Sequence, residues 1–289
     1  MNVQLPDGSI KEVPDGASVA DVAGSIGKRL AKDALAGRVN GKVVDVYTPV
    51  PDGAKVEIIT AKSAEGLDTI RHSTAHLMAM AVQELFPGTQ VTIGPVIEHG
   101  FFYDFGTDRP FSDEDLRKIE EKMQEIVKRD LPVRREEWTR DRAIETFAGL
   151  GEKYKVEIIE AIPGDQTLSV YRQGEWFDLC RGPHVPSTGR LGVFKLTSVA
   201  GAYWRGDERN AMLQRIYGTA WADQKELDDY LARVEEAKAR DHRKLGKELE
   251  LFFFSQFAPA MPNFLPKVAI VYNELMAFVR EYYRRDGYS

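Results

Sequence analysis

The first sixty residues alternate short apolar runs with Pro-Asp-Gly turns. The segment "VQLPDGSIKEV" is typical of two short strands around such a turn, and Ser18 is a candidate N-cap for a helix that continues to Leu30. Farther along, "AGRVNGKVVD" predicts a hairpin that turns at Asn40-Gly41, and "PDGAKVEIIT" predicts a closing strand. Two strands, a helix and further strands together predict a β-grasp domain over residues 1–61.

The chain between residues 62 and 222 mixes helical and strand patterns. A polar linker, "AKSAEG", precedes apolar positions that recur with a helical period over residues 67–86, and a second amphipathic helix is predicted after Ser112. The segments "VTIGPVI" and "FFYDF" indicate strands, and a short helix is predicted after Thr139. Residues 167–221 are rich in Val, Tyr, Phe, Trp and Thr, which favour strands. The mixture predicts an α+β domain.

The last part of the chain is predicted to be largely helical. One charged helix over residues 223–250 carries the basic run "KARDHRKLGK", which fits either a solvated face or a contact with RNA phosphates. The remaining residues end in an amphipathic helix, which favours the start of a further, incomplete domain. The sequence thus predicts four segments: a β-grasp domain (1–61), an α+β domain (62–222), a linker helix (223–250) and an incomplete domain (251–289).

Composition limits the classes of protein that fit. The single cysteine excludes an internal disulfide framework. The N-terminus lacks the apolar core of a signal peptide, and no apolar run approaches the roughly 18 residues that span a membrane. These features predict a cytoplasmic protein with no membrane partner. The net charge of −6 disfavours indiscriminate coating of nucleic acid, so an RNA partner would have to meet local basic patches.

Two histidines in "RHSTAHLM" are the first candidates for chemistry. His72 and His76 are four residues apart, so a helix places them on one face with Cβ atoms about 5–6 Å apart. This spacing suits two metal ligands, and it also arises often by chance. A zinc metalloprotease is excluded, because its signature requires Glu directly after the first histidine and Ser73 stands there.

The segment "EWFDLCRGPH" contains the second group of candidates. On a strand, successive side chains alternate between faces. Trp176, Asp178 and Cys180 then share one face, whereas Phe177 and Leu179 point towards the core. A carboxylate and a thiol are therefore expected on the same, polar face.

The turn "RGP" can bring His184 back towards Cys180, and this leaves several kinds of site open. A lone cysteine is usually a small buried hydrophobe, but a place beside Asp178 on the polar face makes that interpretation weaker. Together with His72 and His76, these residues could bind zinc tetrahedrally or line a hydrolytic pocket without a metal. A covalent Cys–His nucleophile is a third option, weaker because the adjacent carboxylate would raise the pKa of the thiol.

The two histidine-containing motifs, "RHSTAHLM" and "DLCRGPH", resemble those of the editing domain of threonyl-tRNA synthetases, which is related to that of alanyl-tRNA synthetases. The resemblance extends to "IGPVIEHGFFYDF", "GAYWRGDERNAMLQRIYGTAWADQKEL" and "RDHRKLGKELELF", in the same order and spacing. The first sixty residues resemble the β-grasp (TGS) domain of this family. The resemblance covers essentially the whole chain, and the joint occurrence of these segments is highly specific.

The C-terminus departs from the family pattern. The segment "PAMPNFLPKVAIVYNELMAFVREYYRRDGYS" resembles only the beginning of the class II catalytic domain. The arginines of motifs 2 and 3, which hold ATP, and the catalytic zinc ligands have no counterpart. The resemblance therefore implies the N-terminal editing part of a threonine–tRNA ligase, with ATP, zinc and homodimer formation expected only for the full-length protein. We expect that this chain cannot make threonyl-adenylate.

The activity that the resemblance implies is hydrolysis of mischarged Ser-tRNA(Thr) at its acceptor end. Serine lacks one methyl group of threonine, and a methyl group provides only about 1–3 kcal/mol, or roughly 10–200-fold, of discrimination in a binding site. A second pocket that admits only the seryl ester would supply the remaining discrimination between serine and threonine. The alternative function is a tRNA-binding or regulatory module whose pocket is inert.

The resemblance also assigns roles to individual residues. His72 and Lys155 occupy positions where the family activates or positions water; by itself, Lys155 is typical of a surface lysine, and it needs burial or a neighbouring charge for this role. Asp178 is suited to the α-ammonium of the seryl group. Tyr103 is expected to stack on the terminal adenine or to be an ordinary strand aromatic. Shaping the pocket and holding the terminal adenosine are expected of three further residues: His76, Cys180 and His184. Editing is expected to need no metal, although His72, His76, Cys180 and His184 form a possible zinc set.

Overall fold

The computed structural model describes residues 1–164 and 166–288, so Ser289, the end of the predicted incomplete domain, lies outside the described residues. The chain divides into two compact units, a large unit over Met1–Leu227 and a small unit over Asp228–Ser289. The predicted α+β class is confirmed. The predicted boundaries near residues 61 and 222 stay predictions, because the β-grasp and α+β segments lie together in the large unit. Among the described residues, no helix is both long and apolar enough to cross a membrane.

The N-terminal region contains the strands and turns that the sequence predicts. Five strands are present: β1 (Asn2–Gln4), β2 (Ile10–Glu12), β3 (Ala34–Val39), β4 (Lys42–Asp45) and β5 (Val56–Thr60). Strands β1 and β2 pair antiparallel, and the other three form an antiparallel sheet in the order β4-β3-β5. The turn between β3 and β4 has positive φ at both Asn40 and Gly41, as a two-residue hairpin turn requires.

The predicted helix from Ser18 to Leu30 is wrong in its extent. Two helices are present, α1 (Val19–Ile26) and α2 (Lys28–Asp33), because Gly27 between them adopts an extended conformation. The N-cap is as predicted: the Ser18 hydroxyl accepts a hydrogen bond from the backbone of Asp21, and the Asp21 carboxylate accepts one from the backbone of Ser18.

Apart from the helix that begins at Gln224, the described residues in the rest of the large unit form four α-helices and eight strands. The helices are α3 (Ala64–Leu85), α4 (Asp113–Arg129), α5 (Arg140–Gly149) and α6 (Lys153–Ala161). The strands are β6 (Gln90–Val91), β7 (Val96–Ile97), β8 (Gly100–Gly106), β9 (Val133–Trp138), β10 (Leu168–Gln173), β11 (Trp176–Leu179), β12 (Phe194–Tyr203) and β13 (Met212–Ala220). Helix α3 begins three residues earlier than predicted, since Ser63 caps it by accepting a hydrogen bond from the backbone of Gly66.

Two antiparallel sheets position the candidate residues. One has the order β12-β13-β8-β6, with β7 also pairing with β8, and the other has the order β11-β10-β9. Helices α3 and α4 contribute to a core with the first of these sheets, which includes Met78 and Ile119 from the helices and Phe101 and Ile216 from the strands. Helix α3 is therefore a fixed support, packed along most of its length.

The small unit differs from the prediction of one long charged helix. Helix α7 (Gln224–Ala239), which begins in the large unit, and helix α8 (His242–Glu248) are separate. The Asp241 carboxylate caps α8 by accepting a hydrogen bond from the backbone of Arg243. An unpredicted hairpin, β14 (Phe252–Ser255) and β15 (Ala258–Phe264), precedes helix α9 (Pro266–Arg285). Among the described side chains of the small unit, no apolar side chain is fully buried, and Phe257 is fully exposed.

Candidate active site

The two histidines of α3 lie on one helical face, as the sequence predicts. The rings of His72 and His76 are stacked, with centroids 5.3 Å apart. His76 is buried, whereas His72 is only partly buried. Between them, the hydroxyl of Ser73 lies 3.1 Å from Nδ1 of His184 and accepts a hydrogen bond from the backbone of Val185. Ser73, which stands where a zinc metalloprotease requires Glu, therefore helps to hold His184 in place.

Strand β11 and the turn after it bring the thiol to these histidines. The Cys180 Sγ lies 2.9 Å from Nε2 of His72 and 3.3 Å from Nε2 of His184. The predicted strand alternation is confirmed, since Phe177 and Leu179 pack against the core formed around Trp138. We call His72, His76, Cys180 and His184 the imidazole–thiol cluster; their ligand atoms all lie within 4.8 Å of one another.

A second group of buried polar residues adjoins this cluster. The Lys155 Nζ on α6 lies 2.5 Å from Oδ1 of Asp178 and donates a hydrogen bond of 3.1 Å to the Tyr103 hydroxyl. The Tyr103 hydroxyl in turn donates to Oδ2 of Asp178 over 2.5 Å. All three side chains are almost fully buried. We call this group the lysine–carboxylate network. The burial that Lys155 needs for a functional role is therefore present.

His76 connects the two groups. Its Nδ1 lies 3.8 Å from Oδ2 of Asp178, and its ring lies edge-on to that of Tyr103. Among the described residues, this buried Nδ1 has no hydrogen-bond partner. Because a buried polar atom without a partner costs free energy, this atom favours a water molecule or a substrate group beside it.

Two family matches cover much of the large unit. Residues 1–60 match the TGS domain, and residues 168–217, which include Asp178, Cys180 and His184, match the threonyl and alanyl tRNA synthetase second additional domain. Over the whole chain, the threonine–tRNA ligase of Thiobacillus denitrificans is 58% identical, and those of Azoarcus sp. and Geobacter sp. are each 57% identical. The chain belongs to the threonine–tRNA ligase family.

The match to these ligases covers all of the chain but only part of each relative. The chain spans 46% of the length of the Thiobacillus denitrificans ligase and 45% of the other two. The resemblance read from the motifs is thereby confirmed for the family and for the presence of a TGS domain and an editing-type domain.

Burial keeps the imidazole–thiol cluster of this ligase-family chain uncharged. It lowers the pKa of His72 to about 4 and holds the pKa values of His76 and His184 well below their ordinary value. Burial also raises the pKa of the Cys180 thiol to about 12, and the nearby Asp178 acts in the same direction. Near pH 7 the cluster therefore presents neutral imidazoles and a protonated thiol, which is a poor nucleophile.

A small pocket of about 240 Å³ opens over His72. It is lined by residues of α3, of the turn after β11 and of β4: Glu65, Asp68, Thr69, His72, Gly182, Pro183 and Val43, together with Val96. His72 is thus the cluster member that faces the opening. Val43 belongs to the N-terminal region, and no motif in the sequence pointed to it.

The roles predicted for Asp178 and Tyr103 meet a constraint in this conformation. The oxygens of Asp178 already contact Lys155 and Tyr103, so a substrate ammonium would have to displace one of them. Tyr103 is fully buried, and its ring lies against Gly94, where a Cβ would not fit. Neither residue offers a free face, and both roles stay predictions.

The donor set of the imidazole–thiol cluster fits a zinc ion. Three imidazoles and one thiol, with His76 and His184 buried and the other two partly buried, suit tetrahedral coordination. His72, His76, Cys180 and His184 would hold the ion, and the chemistry it would supply is activation of a bound water. Two of the three imidazoles, those of His72 and His184, also lie within hydrogen-bond distance of the thiol.

Proposed function

We propose that this site hydrolyses an aminoacyl ester on tRNA, and that its substrate is Ser-tRNA(Thr). The observation that carries the proposal is the position of His72, whose imidazole is neutral near pH 7 and lines the opening of the pocket. A neutral imidazole in contact with an accessible pocket is suited to accept a proton from water.

The proposed reaction is attack of water on the ester carbonyl. The oxygen of the water bonds to the carbonyl carbon, and His72 accepts a proton from that water. Collapse of the tetrahedral intermediate then breaks the ester bond, and the ribose oxygen leaves with the proton. Lys155 acts as a fixed positive charge rather than as a base, because its ammonium is already paired with Asp178. Cys180 shapes the pocket and forms no acyl intermediate.

Selection of serine over threonine is attributed to the size of the pocket. The pocket is lined by a packed helix and a turn, and in this proposal these walls close around a seryl side chain and exclude the extra methyl group of threonine. The tRNA acceptor end is the proposed partner. A second cavity of about 470 Å³, lined by Arg181, Arg205, Tyr203 and Trp204 among others, supports this, since arginines and aromatics suit phosphates and bases.

A deacylation time course tests the proposal. Purified chain is incubated with Ser-tRNA(Thr) and, separately, with Thr-tRNA(Thr), and the remaining ester is measured. We expect rapid loss of the seryl ester and slow loss of the threonyl ester. Equal rates would remove the proofreading role. Binding of tRNA without hydrolysis of either ester would support the alternative of a binding module.

Ligation of threonine to tRNA is the activity named for the longer relatives. We propose that the 289-residue chain does not make threonyl-adenylate by itself, because the ATP-binding arginines of motifs 2 and 3 have no counterpart in its sequence. Threonine-dependent pyrophosphate exchange by the purified chain would contradict this. A requirement for ATP and zinc, dimer formation by the longer protein and a cytoplasmic location all stay predictions.

A further inference from the structure

The N-terminal region supplies a carboxylate to the turn that carries His184. Asp45 is the last residue of β4. Its Oδ1 accepts a hydrogen bond of 2.9 Å from the backbone of His184, and its Oδ2 accepts one of 2.7 Å from the Tyr171 hydroxyl. One side chain thus ties the N-terminal region to His184 of the imidazole–thiol cluster and to Tyr171 beside it.

The position of β4 in its sheet explains how this contact arises. The order β4-β3-β5 makes β4 an edge strand, so its outer side is free to meet the turn after β11. Val43 and Asp45 are two residues apart and therefore share one face of the strand. Val43 lines the pocket over His72, and Asp45 holds the turn. One face of this edge strand is therefore a wall of the candidate site.

Tyr171 extends the contact to the imidazole itself. Its ring packs on that of His184, with centroids 4.4 Å apart. Its hydroxyl lies against Gly182, where no Cβ would fit and where φ is +70°. The Asp45–Tyr171 pair therefore fixes both the backbone of the turn and the plane of the ring.

A shift of this turn would move the cluster. The other contacts of His184 are short, with Nδ1 3.1 Å from the Ser73 hydroxyl and Nε2 3.3 Å from Cys180 Sγ. Cys180 in turn contacts His72, which faces the pocket. We infer that Asp45 is a positioning residue for the hydrolytic site, acting through the His184 turn without touching substrate. The inference rests on the proposed function.

The test compares substitutions in the full chain. Asp45→Ala removes both acceptors, and we expect kcat for Ser-tRNA(Thr) deacylation to fall about 10–100-fold with little change in KM, the range typical of residues that orient catalytic ligands. Asp45→Asn should recover most of the rate, because its amide oxygen still accepts from His184 and its NH₂ can donate to the Tyr171 hydroxyl. The matched control is Asp52→Ala, which also loses a hydrogen bond from a backbone amide, that of Asn2, at an exposed site.

A second readout does not depend on activity. Histidine labelled with ¹³C at Cε1 gives five resonances, and we expect Asp45→Ala to shift that of His184 while those of His99 and His242 stay in place. If Asp45→Ala fails to fold, Asp45→Asn and Tyr171→Phe still allow the comparison, because the latter removes one of the two hydrogen bonds and should cost less.

The outcomes separate the inference from the proposed function. An active parent whose kcat is unaffected by Asp45→Ala overturns the inference and leaves hydrolysis standing. Loss of kcat in both Asp45→Ala and Asp45→Asn, without a shift at His184, also overturns it. If the parent is inactive, the proposed function fails, and the His184 resonance alone decides whether Asp45 positions the turn.

Discussion

The imidazole–thiol cluster and the lysine–carboxylate network lie side by side, yet burial has opposite consequences in them. In the cluster, burial suppresses charge and leaves neutral imidazoles and a thiol with a raised pKa. In the network, a cation and a carboxylate are buried as a contact pair, with 2.5 Å between Lys155 Nζ and Asp178 Oδ1. In the proposed reaction, proton transfer is assigned to the first group and fixed charge to the second. Adjacent buried groups can therefore differ in charge, provided that each charged side chain has a partner of opposite charge.

Breaking the network should have the largest effect. Lys155→Ala leaves the Asp178 carboxylate buried without its cation, which typically costs about 3–5 kcal/mol of stability. It also removes the fixed charge, and we expect a 10²–10⁴-fold loss of Ser-tRNA(Thr) deacylation. Thermal unfolding and deacylation rates should both be measured. The matched control is Lys153→Ala on the same helix, whose side chain is exposed; an equal loss there would contradict the assignment.

Removing the base should affect activity without a comparable loss of stability. His72→Ala is expected to reduce deacylation 10²–10⁴-fold, because no other neutral imidazole of the cluster lines the pocket. Its ring is only partly buried, so we expect the folded state to survive. His242→Ala, at a side chain that is 84% exposed, is the control. Wild-type rates in His72→Ala would place the base elsewhere.

The pH dependence of stability should report the neutral histidines. In the folded chain the pKa of His72 is about 4, below its ordinary value near 6.5, so between these values the unfolded chain binds more protons. Stability from this residue is present above pH 6.5 and is lost as the pH falls towards 4, with a contribution on the order of 3 kcal/mol at most. Unfolding free energies measured from pH 7 to pH 4 should have a smaller slope in His72→Asn. Identical slopes would show that His72 does not titrate as described.

Loss of the Cys180 thiol should reduce deacylation less than loss of His72 or Lys155. Cys180→Ala keeps the histidines and removes only shape and one set of contacts, so we expect deacylation to fall by less than about tenfold, below the range for a lost acid–base group. The raised pKa of the thiol supports this. Abolished activity in this variant, together with a trappable acyl-thioester, would transfer catalysis to Cys180.

Removal of metal is expected to have the smallest effect on deacylation. The cluster can accommodate zinc, but we expect chelation to leave deacylation unchanged, since a neutral His72 can act on water without an ion. Metal analysis of the purified chain and rates before and after treatment with a chelator provide the test. One zinc per chain together with loss of hydrolysis on chelation would replace this assignment by a zinc-activated water.

The two groups also differ in how far the sequence predicted them. Helical spacing placed His72 and His76 on one face, and strand alternation placed Asp178 and Cys180 on another, because both patterns are local. Lys155 had the pattern of an ordinary surface residue, and only the family resemblance selected it. Its burial depends on contacts between α6, β8 and β11, which no local pattern encodes.

The same reasoning explains the errors in the fold. One helix was predicted to continue through Gly27 and another to continue through Asp241, since the apolar and charged periodicity of the sequence continues past both residues. The extended backbone at Gly27 and the cap supplied by Asp241 are single-residue features, and each interrupts the helix although the sequence periodicity continues. The contact between Asp45 and His184 joins residues 139 positions apart and had no signal in the sequence.

Two of the walls of the pocket differ in the freedom that they leave to a bound molecule. One wall is α3, a 22-residue helix packed along most of its length, so the separation of its two histidines is set by helix geometry. The other wall is the turn from Cys180 to His184, which is held by individual hydrogen bonds. If the pocket closes around a bound molecule, we expect the turn rather than the helix to move. Such a movement belongs to the timescale of loop motions, nanoseconds to microseconds, rather than to that of helix displacement.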